Sequence, residues 1–378
     1  MKKINVGHYI NYAVIGIFTL VFAIITLAGG RLDSSMLFLF EKIAISIVLA
    51  VSLSIVVGFL GELSLGHAGF MCVGAYIGGK LAVVLEGTMG NTVPNLLISI
   101  VAGGTVAALF GVVIGMPALR LRGDYLAIVT LAFGEIMRSL FLNSSDESFG
   151  GTLGLETPRF DKKYLFIFAF LMVLLTLLVV QNFIRSKHGR AVTAIRDNEI
   201  AARACGINVT KYKLLAFIIS AFFAGIAGVL YSFSNYTVQS ATFGYNYSIK
   251  ILVMVVLGGM GNINGAIISA TLITFLDTKL ATILTGDLAV LQNLIYALIL
   301  IVIVIYNNAP ALKTFRSNHN VGVYVRKLVR SKYDSSKIKD DAAKWDVVPT
   351  KIEMNEILST DMKPQNLSSD KPSKKGDK

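Results

Sequence analysis

The stretch Gly74-Ala75-Tyr76-Ile77-Gly78-Gly79-Lys80-Leu81 comes within one residue of the phosphate-cradling loop G-x-x-x-x-G-K-[ST]. The missing residue is the one that would hold a magnesium ion: Leu81 has no hydroxyl, and the stretch lies inside an apolar run rather than after a strand. It is therefore rejected as a nucleotide site. The histidines His8, His67, His188 and His319 are scattered, and no Ser/His/Asp or metal-ligand spacing accompanies them. Cys72 sits in an apolar run and Cys205 in a basic loop, so both are read as free thiols. This pattern points away from an enzyme and implies no cofactor. If the chain moves a solute against a gradient, a partner or an ion gradient must supply the energy.

Ionisable residues inside apolar stretches form a second group. A charge in hydrocarbon is costly, so each such residue calls for a functional reading. Glu135 and Arg138, three residues apart toward the end of one apolar run, are read as lining an outer vestibule that receives a zwitterionic solute or docks a delivery protein. Glu62 and His67, which flank Ser64 and Gly66, are read as facing the inner side of a pathway. Lys80, Lys250, Asp277 and Lys279 are read as snorkelling to the interface or pairing structurally.

Positioning such residues requires apolar helices, and the composition provides them. Hydrophobic residues make up 54% of the 378 and charged residues 15%, where soluble proteins carry about 25% charged. Mean hydropathy is +0.67. Apolar runs of roughly 20 residues recur, the length that crosses about 30 Å of hydrocarbon. Ten segments emerge, at roughly 9–30, 37–60, 67–85, 95–117, 124–142, 163–184, 212–234, 248–258, 263–284 and 288–306. The eighth is too short to span and is expected to be broken or re-entrant. The first exceeds the roughly 7–15-residue apolar core of a signal peptide and is read as a retained helix. The expected fold is an all-α integral membrane protein with about ten transmembrane helices in a domain over 1–312. Residues 313–378, rich in Lys, Asp and Ser, are expected to form a disordered cytoplasmic tail whose basic start rests on anionic lipid.

A net charge of +12 in a soluble protein would suggest nucleic acid. Here the basic residues gather on alternate loops. With the N-terminus in the cytoplasm and the tail set aside, 11 Lys and Arg fall on the cytoplasmic side and 4 on the other. Both ends are thus expected inside, and no nucleic-acid partner is implied. Glycines at Gly74-x-x-x-Gly78 and Gly111-x-x-x-Gly115, with the row Ala221, Gly225 and Gly228, suit close helix packing. Segments 58–69 and 258–265 place glycines beside polar residues at span ends, where unwound backbone must be buried or line a cavity.

The basic loop 185–213 is long enough to fold. Over 188–213 its spacing predicts a short surface helix with Val192, Ile195 and Ala202 on one side. Glu199 with Arg203, and Arg196 with Glu199, stand at pairing distances along that helix, and Gly206 is placed to end it in the left-handed conformation.

Within this loop, Glu199-Ile200-Ala201-Ala202-Arg203-Ala204-Cys205-Gly206 resembles the EAA-x-x-x-G motif of ABC importer permeases. LRLRGDYLAIVTLAFGEIMR (119–138), KYKLLAFIISAFFAGIAGVLYSF (211–233) and VLGGMGNINGAIISA (256–270) are similar to the permease subunits of branched-chain amino acid importers of the LivM type. The resemblance covers about 36–306. It implies a bacterial cytoplasmic-membrane assembly of this chain with a second related permease, two cytoplasmic ATPase subunits and an extracellular solute-binding protein. It also implies that Arg190, Arg196, Glu199, Ala201, Ala202 and Gly206 contact the ATPase. Arg120, Arg122, Gly123 and Asp124, on the same side, become candidates for an inner gate or a second contact. Urea, short amides or other amino acids remain open as substrates. The rival reading is an ion-coupled secondary carrier, which would be expected to show inverted repeats and midplane ion sites.

Overall fold

The computed structural model describes residues 10–27, 33–121 and 123–283, with isolated positions at 297–298 and 301. The chain divides into two units, Met1–Asn307 and Asn308–Lys378. The expected span 288–306, apart from those isolated positions, the tail from 313 and Arg122 lie outside the described residues; the described residues all belong to the first unit.

Among the described residues the fold is helical, with one two-residue strand pair. The helices are α1 (Ile10–Leu27), α2 (Ser34–Ser54), α3 (His67–Met89), α4 (Val93–Ala118), α5 (Asp124–Leu142), α6 (Asp146–Phe149), α7 (Lys162–Arg185), α8 (Lys187–Asp197), α9 (Glu199–Ala204), α10 (Val209–Asn235), α11 (Tyr245–Gly258) and α12 (Ile263–Ile283). A π-helical turn, Ile55–Leu60, extends α2. Seven of these helices, α2 with its extension, α3, α4, α5, α7, α10 and α12, are long and apolar enough to cross a membrane. Together with α1 and α11 they account for nine of the ten expected segments.

The core forms where α3, α4 and α10 pack on one another. Lipid supplies no hydrophobic force to bring helices together, so close backbone approach must do it. The sequence provides this through its small residues. A Cβ on Gly74 of α3 would run into the backbone of Gly225 on α10, and one on Gly111 of α4 would meet Ala221 Cβ at 2.9 Å. The near-match to a phosphate loop is thus two turns of α3 whose glycines are consumed by packing. Lys80 turns away and donates to Glu147 O at 2.8 Å.

The eighth segment is a half-helix. With 14 residues, α11 reaches only about 21 Å, short of the roughly 30 Å of hydrocarbon. The chain arrives at it irregularly. After α10, strand β2 (Thr237–Val238) pairs antiparallel with β1 (Leu155–Glu156), Leu155 opposite Val238, and a 3-10 turn, Ser240–Phe243, follows. Tyr76 Oη donates to Val238 O at 3.0 Å. Tyr245 N then donates to Glu135 Oε1 at 2.9 Å, which ties the start of α11 to a point just past the middle of α5.

Loops sort to two ends. Residues 58–62, 187–213 and 261 meet at one end through Arg196 and Lys213. Residues 91, 147–159 and 236–238 meet at the other, where Asn91 Nδ2 donates to Arg159 O at 2.7 Å and Thr157 N to Tyr236 O at 2.8 Å. This alternation matches the order of spans read from the sequence.

Candidate functional site

The basic loop forms two helices instead of one. Ser186 caps α8, its hydroxyl accepting from His188 N and Gly189 N. Val192 and Ile195 then face the bundle and are buried. At Asn198 the backbone leaves the helix (φ −159°, ψ 106°), and the side-chain oxygen accepts from Ile200 N and Ala201 N, both at 3.0 Å, to start α9. Asn competes well for backbone donors at this position, which is why the break falls there. Gly206 ends α9 at φ +80°. Ile207 N bonds Ala202 O at 3.1 Å and Gly206 N bonds Arg203 O at 3.0 Å, a Schellman closure.

This break reassigns the charges. Glu199 pairs with Arg203 at 2.6 Å, as the spacing suggests. Arg196 does not pair with Glu199, because the two residues belong to different helices. Its Nε and Nη2 bond Asp197 Oδ1 at 3.2 and 3.1 Å, and its Nη1 donates to Gly58 O at 3.1 Å. The Arg196 side chain crosses Gly61, where an added Cβ would lie 2.5 Å from its Cγ. Arg196 therefore faces the chain's own bundle at the π-helical turn.

Lys213, near the start of α10 and 6% exposed at its side chain, joins Glu62 in an ion pair and reaches Glu199 Oε2 at 3.3 Å. Glu62 Oε2 is buried and lacks a hydrogen-bond partner among the described residues. Burial pushes the Glu62 carboxyl above the ordinary carboxylate range, against the opposing pull of Lys213, while nearby Glu199 adds to the rise. Glu62 thus belongs to a cluster that ties the end of α2 to α9 and α10.

His67 lies elsewhere. Residues 61–66 run as a non-helical link from that cluster to the start of α3. There Leu65 N donates to Thr130 Oγ1 at 3.0 Å, and His67 Nε2 lies 2.8 Å from Ser52 Oγ. Ala68 N donates to Ser248 Oγ at 3.2 Å, which brings the first turns of α3 and α11 together. Glu62 and His67 occupy opposite ends of the link, and His67 is a buried, hydrogen-bonded residue.

Glu135 and Arg138 do come together. Arg138 Nε donates to Glu135 Oε2 at 2.7 Å, with both side chains 31% exposed. They line an open cavity of about 250 Å³ with Ala241, Thr242, Gly244 and the first residues of α11, Tyr245 to Tyr247.

On the outer surface of the 185–213 loop, Arg190, Ala201, Arg203 and Gly206 are exposed, and a Cβ at Gly206 would meet nothing within 4 Å. Ala202 is buried at 4% exposure and serves to hold α9 against the bundle. Ile200 is a residue that sequence reasoning does not single out, at 76% exposure on the six-residue α9. Its signal was present: an isoleucine adjacent to the inward-facing side, in a six-residue helix where it has no room to turn in. Arg120 and Asp124 stand exposed near the same end and make no side-chain bond among the described residues.

A bundle of apolar helices with a half-helix and a capped, partly exposed helix pair at one end fits a multi-pass membrane protein. The sequence profile of the family described as "Branched-chain amino acid transport system / permease component" matches residues 35–305. The chain belongs to this family, and within it resembles the LivM type. It is 38% identical over 260 residues to the high-affinity branched-chain amino acid transport system permease protein LivM of Salmonella typhimurium, and equally to that of Escherichia coli. Each match covers 61% of this chain and 60% of the relative, so the chain is matched to less than two thirds of those proteins. The ribose import permease protein RbsC of Escherichia coli is 26% identical over 317 residues, covering 78% of this chain and 92% of the relative. No solved structure matches.

Proposed function

We propose that the chain is a transmembrane subunit of an ATP-binding-cassette importer that passes branched-chain or related hydrophobic amino acids across the bacterial cytoplasmic membrane. A second related permease, two cytoplasmic ATPase subunits and an extracellular binding protein complete the assembly, and the ATPase subunits supply the energy. The end bearing α8 and α9 faces the cytoplasm, as does the N-terminus.

The carrying observation is how α9 is mounted. Outward it offers Ile200, Ala201 and the Gly206 turn to a partner. Inward, Glu199 and the neighbouring Arg196 lock onto Lys213, Glu62 and Gly58. A push on α9 is thereby delivered to the π-helical turn and the 61–66 link, which leads to the meeting point of α3 and α11. The family roles divide accordingly: Arg190, Ala201 and Gly206 meet the ATPase, while Arg196, Glu199 and Ala202 transmit. Arg120 and Asp124, exposed beside them, form a second contact with the ATPase.

An exposed aliphatic side chain with small residues beside it is the kind of anchor that fills a partner's pocket. Ile200→Asp is expected to cut retention of co-expressed ATPase subunits by more than tenfold in detergent pull-downs, while the variant remains monodisperse. Undiminished retention would remove α9 from the interface.

A further inference from the structure

Glu135 and Arg138 stand roughly 16 and 21 Å along α5 at about 1.5 Å of rise per residue, the first just past its middle and the second about one turn before its end, within an apolar span. An ion pair there needs a reason, because a charge placed inside hydrocarbon carries a large cost. Structural stapling explains only part of it. Glu135 accepts from Tyr245 N through one oxygen and from Arg138 Nε through the other. Arg138 spends only its Nε: its two terminal nitrogens have no partner among the described residues, and the residue lines the cavity with Thr242, Asn246 and Tyr247. The guanidinium is therefore held by one edge and offers the other.

We propose that this cavity is a binding station for the solute inside the membrane domain, with the Arg138 terminal nitrogens taking the carboxylate of an α-amino acid and Glu135 taking its ammonium. The inference rests on the importer reading above and assigns the residues of its substrate path. A guanidinium presents two parallel N–H donors that match a carboxylate. Each Glu135 oxygen has two lone pairs and uses one, which leaves acceptors for an ammonium. The cavity opens at the first turn of the half-helix α11, and transporters commonly direct the N-terminal ends of broken helices toward anionic groups of the solute. At about 250 Å³ it lies below the range of about 300–1,000 Å³ for drug-sized ligands, which suits one small amino acid and excludes a peptide. Ala241 and the Tyr247 ring provide apolar wall for the side chain.

The test separates this site from the importer reading itself. The assembled transporter is reconstituted with Asn246→Cys on a Cys205→Ser background, since Cys205 is exposed and Cys72 buried. Labelling of residue 246 by a maleimide is followed with leucine, 3-methylbutylamine or 4-methylpentanoate, alongside ATP-dependent leucine uptake. Leucine should slow labelling more than fivefold. The amine, which lacks the carboxylate, and the acid, which lacks the ammonium, should each protect far less. Arg138→Gln should abolish protection and cut uptake more than tenfold, with ATP hydrolysis by the complex and its assembly retained. Equal protection by the amine would overturn the carboxylate assignment. So would full uptake by Arg138→Gln, or uptake that falls only in step with the amount of assembled complex; in these cases the importer reading stands. If the unsubstituted complex shows no ATP-dependent uptake, the importer reading fails and this inference falls with it.

Discussion

At the scale of single residues, local chemistry in the 185–213 loop sets which charges meet. Gly206 was legible because a glycine after a short helix meets the one backbone conformation that other residues occupy at a cost of about 1–3 kcal/mol. Asn198 was less so: its side chain outcompetes the helix for two backbone donors, and that single capping choice moved Arg196 from a helix-surface pair to a contact with Gly58. The Glu62–Lys213 pair, 151 residues apart in sequence, could not be read from spacing at all. It makes a pH prediction. Burial raises the Glu62 pKa, so the folded chain binds this proton at a higher pH than the unfolded chain. The associated stability is fully present below the unfolded value and is lost as pH rises through the folded one. Mild acid should therefore leave the fold intact while discharging Glu62 beside Lys213, with Glu199 and its partner Arg203 the other charges in the cluster. ATP-dependent uptake should decline on the acid side above the ordinary carboxylate range while the melting temperature does not. Glu62→Gln should be slow at every pH and lose that inflection. A profile unchanged by Glu62→Gln would detach the cluster from transport.

At the scale of elements, the spans were legible because length and hydropathy alone define them, and the shortness of the eighth segment gave away α11. What the sequence could not supply was the path into α11: residues 237–245 form strand pairing, a 3-10 turn and a bond from Tyr245 N to Glu135, the first and last set by distant partners. The π-helical end of α2 was equally hidden, although the glycines at 58 and 61 marked the region as irregular. Packing within the α3–α4–α10 core makes the element-scale prediction. Gly225→Leu would force a side chain into α4, where a Cβ alone would lie 2.5 Å from Ala107 Cβ and 2.8 Å from Gly103 O. Overpacking of this kind costs about 1–3 kcal/mol or more, so the variant should aggregate in size-exclusion chromatography or melt well below the parent. Gly87→Leu, in α3 but with nothing within 4 Å of the added Cβ, should behave as the parent. Equal tolerance of both would contradict the observed helix contacts.

At the scale of the whole molecule, the charge asymmetry and the sorting of loops to two ends agree, and together they make orientation testable without engineering. Cys205 is exposed on the 185–213 loop and Cys72 is buried in α3. A membrane-impermeant maleimide should label the chain in inside-out vesicles and not in intact cells, and labelling from outside would invert the topology. The partners and substrate proposed for the chain were legible only through the resemblance, because no residue type or spacing in its loops encodes them. The central claim, that α8 and α9 couple the bundle to ATP hydrolysis, is tested most directly by leucine uptake into liposomes holding the full complex. Uptake is measured with and without ATP and the binding protein, for the parent and for Gly206→Asp. The account predicts uptake that requires both additions and falls at least tenfold in Gly206→Asp while the bundle stays folded. Uptake driven by an ion gradient without ATP, or undiminished in Gly206→Asp, would contradict it.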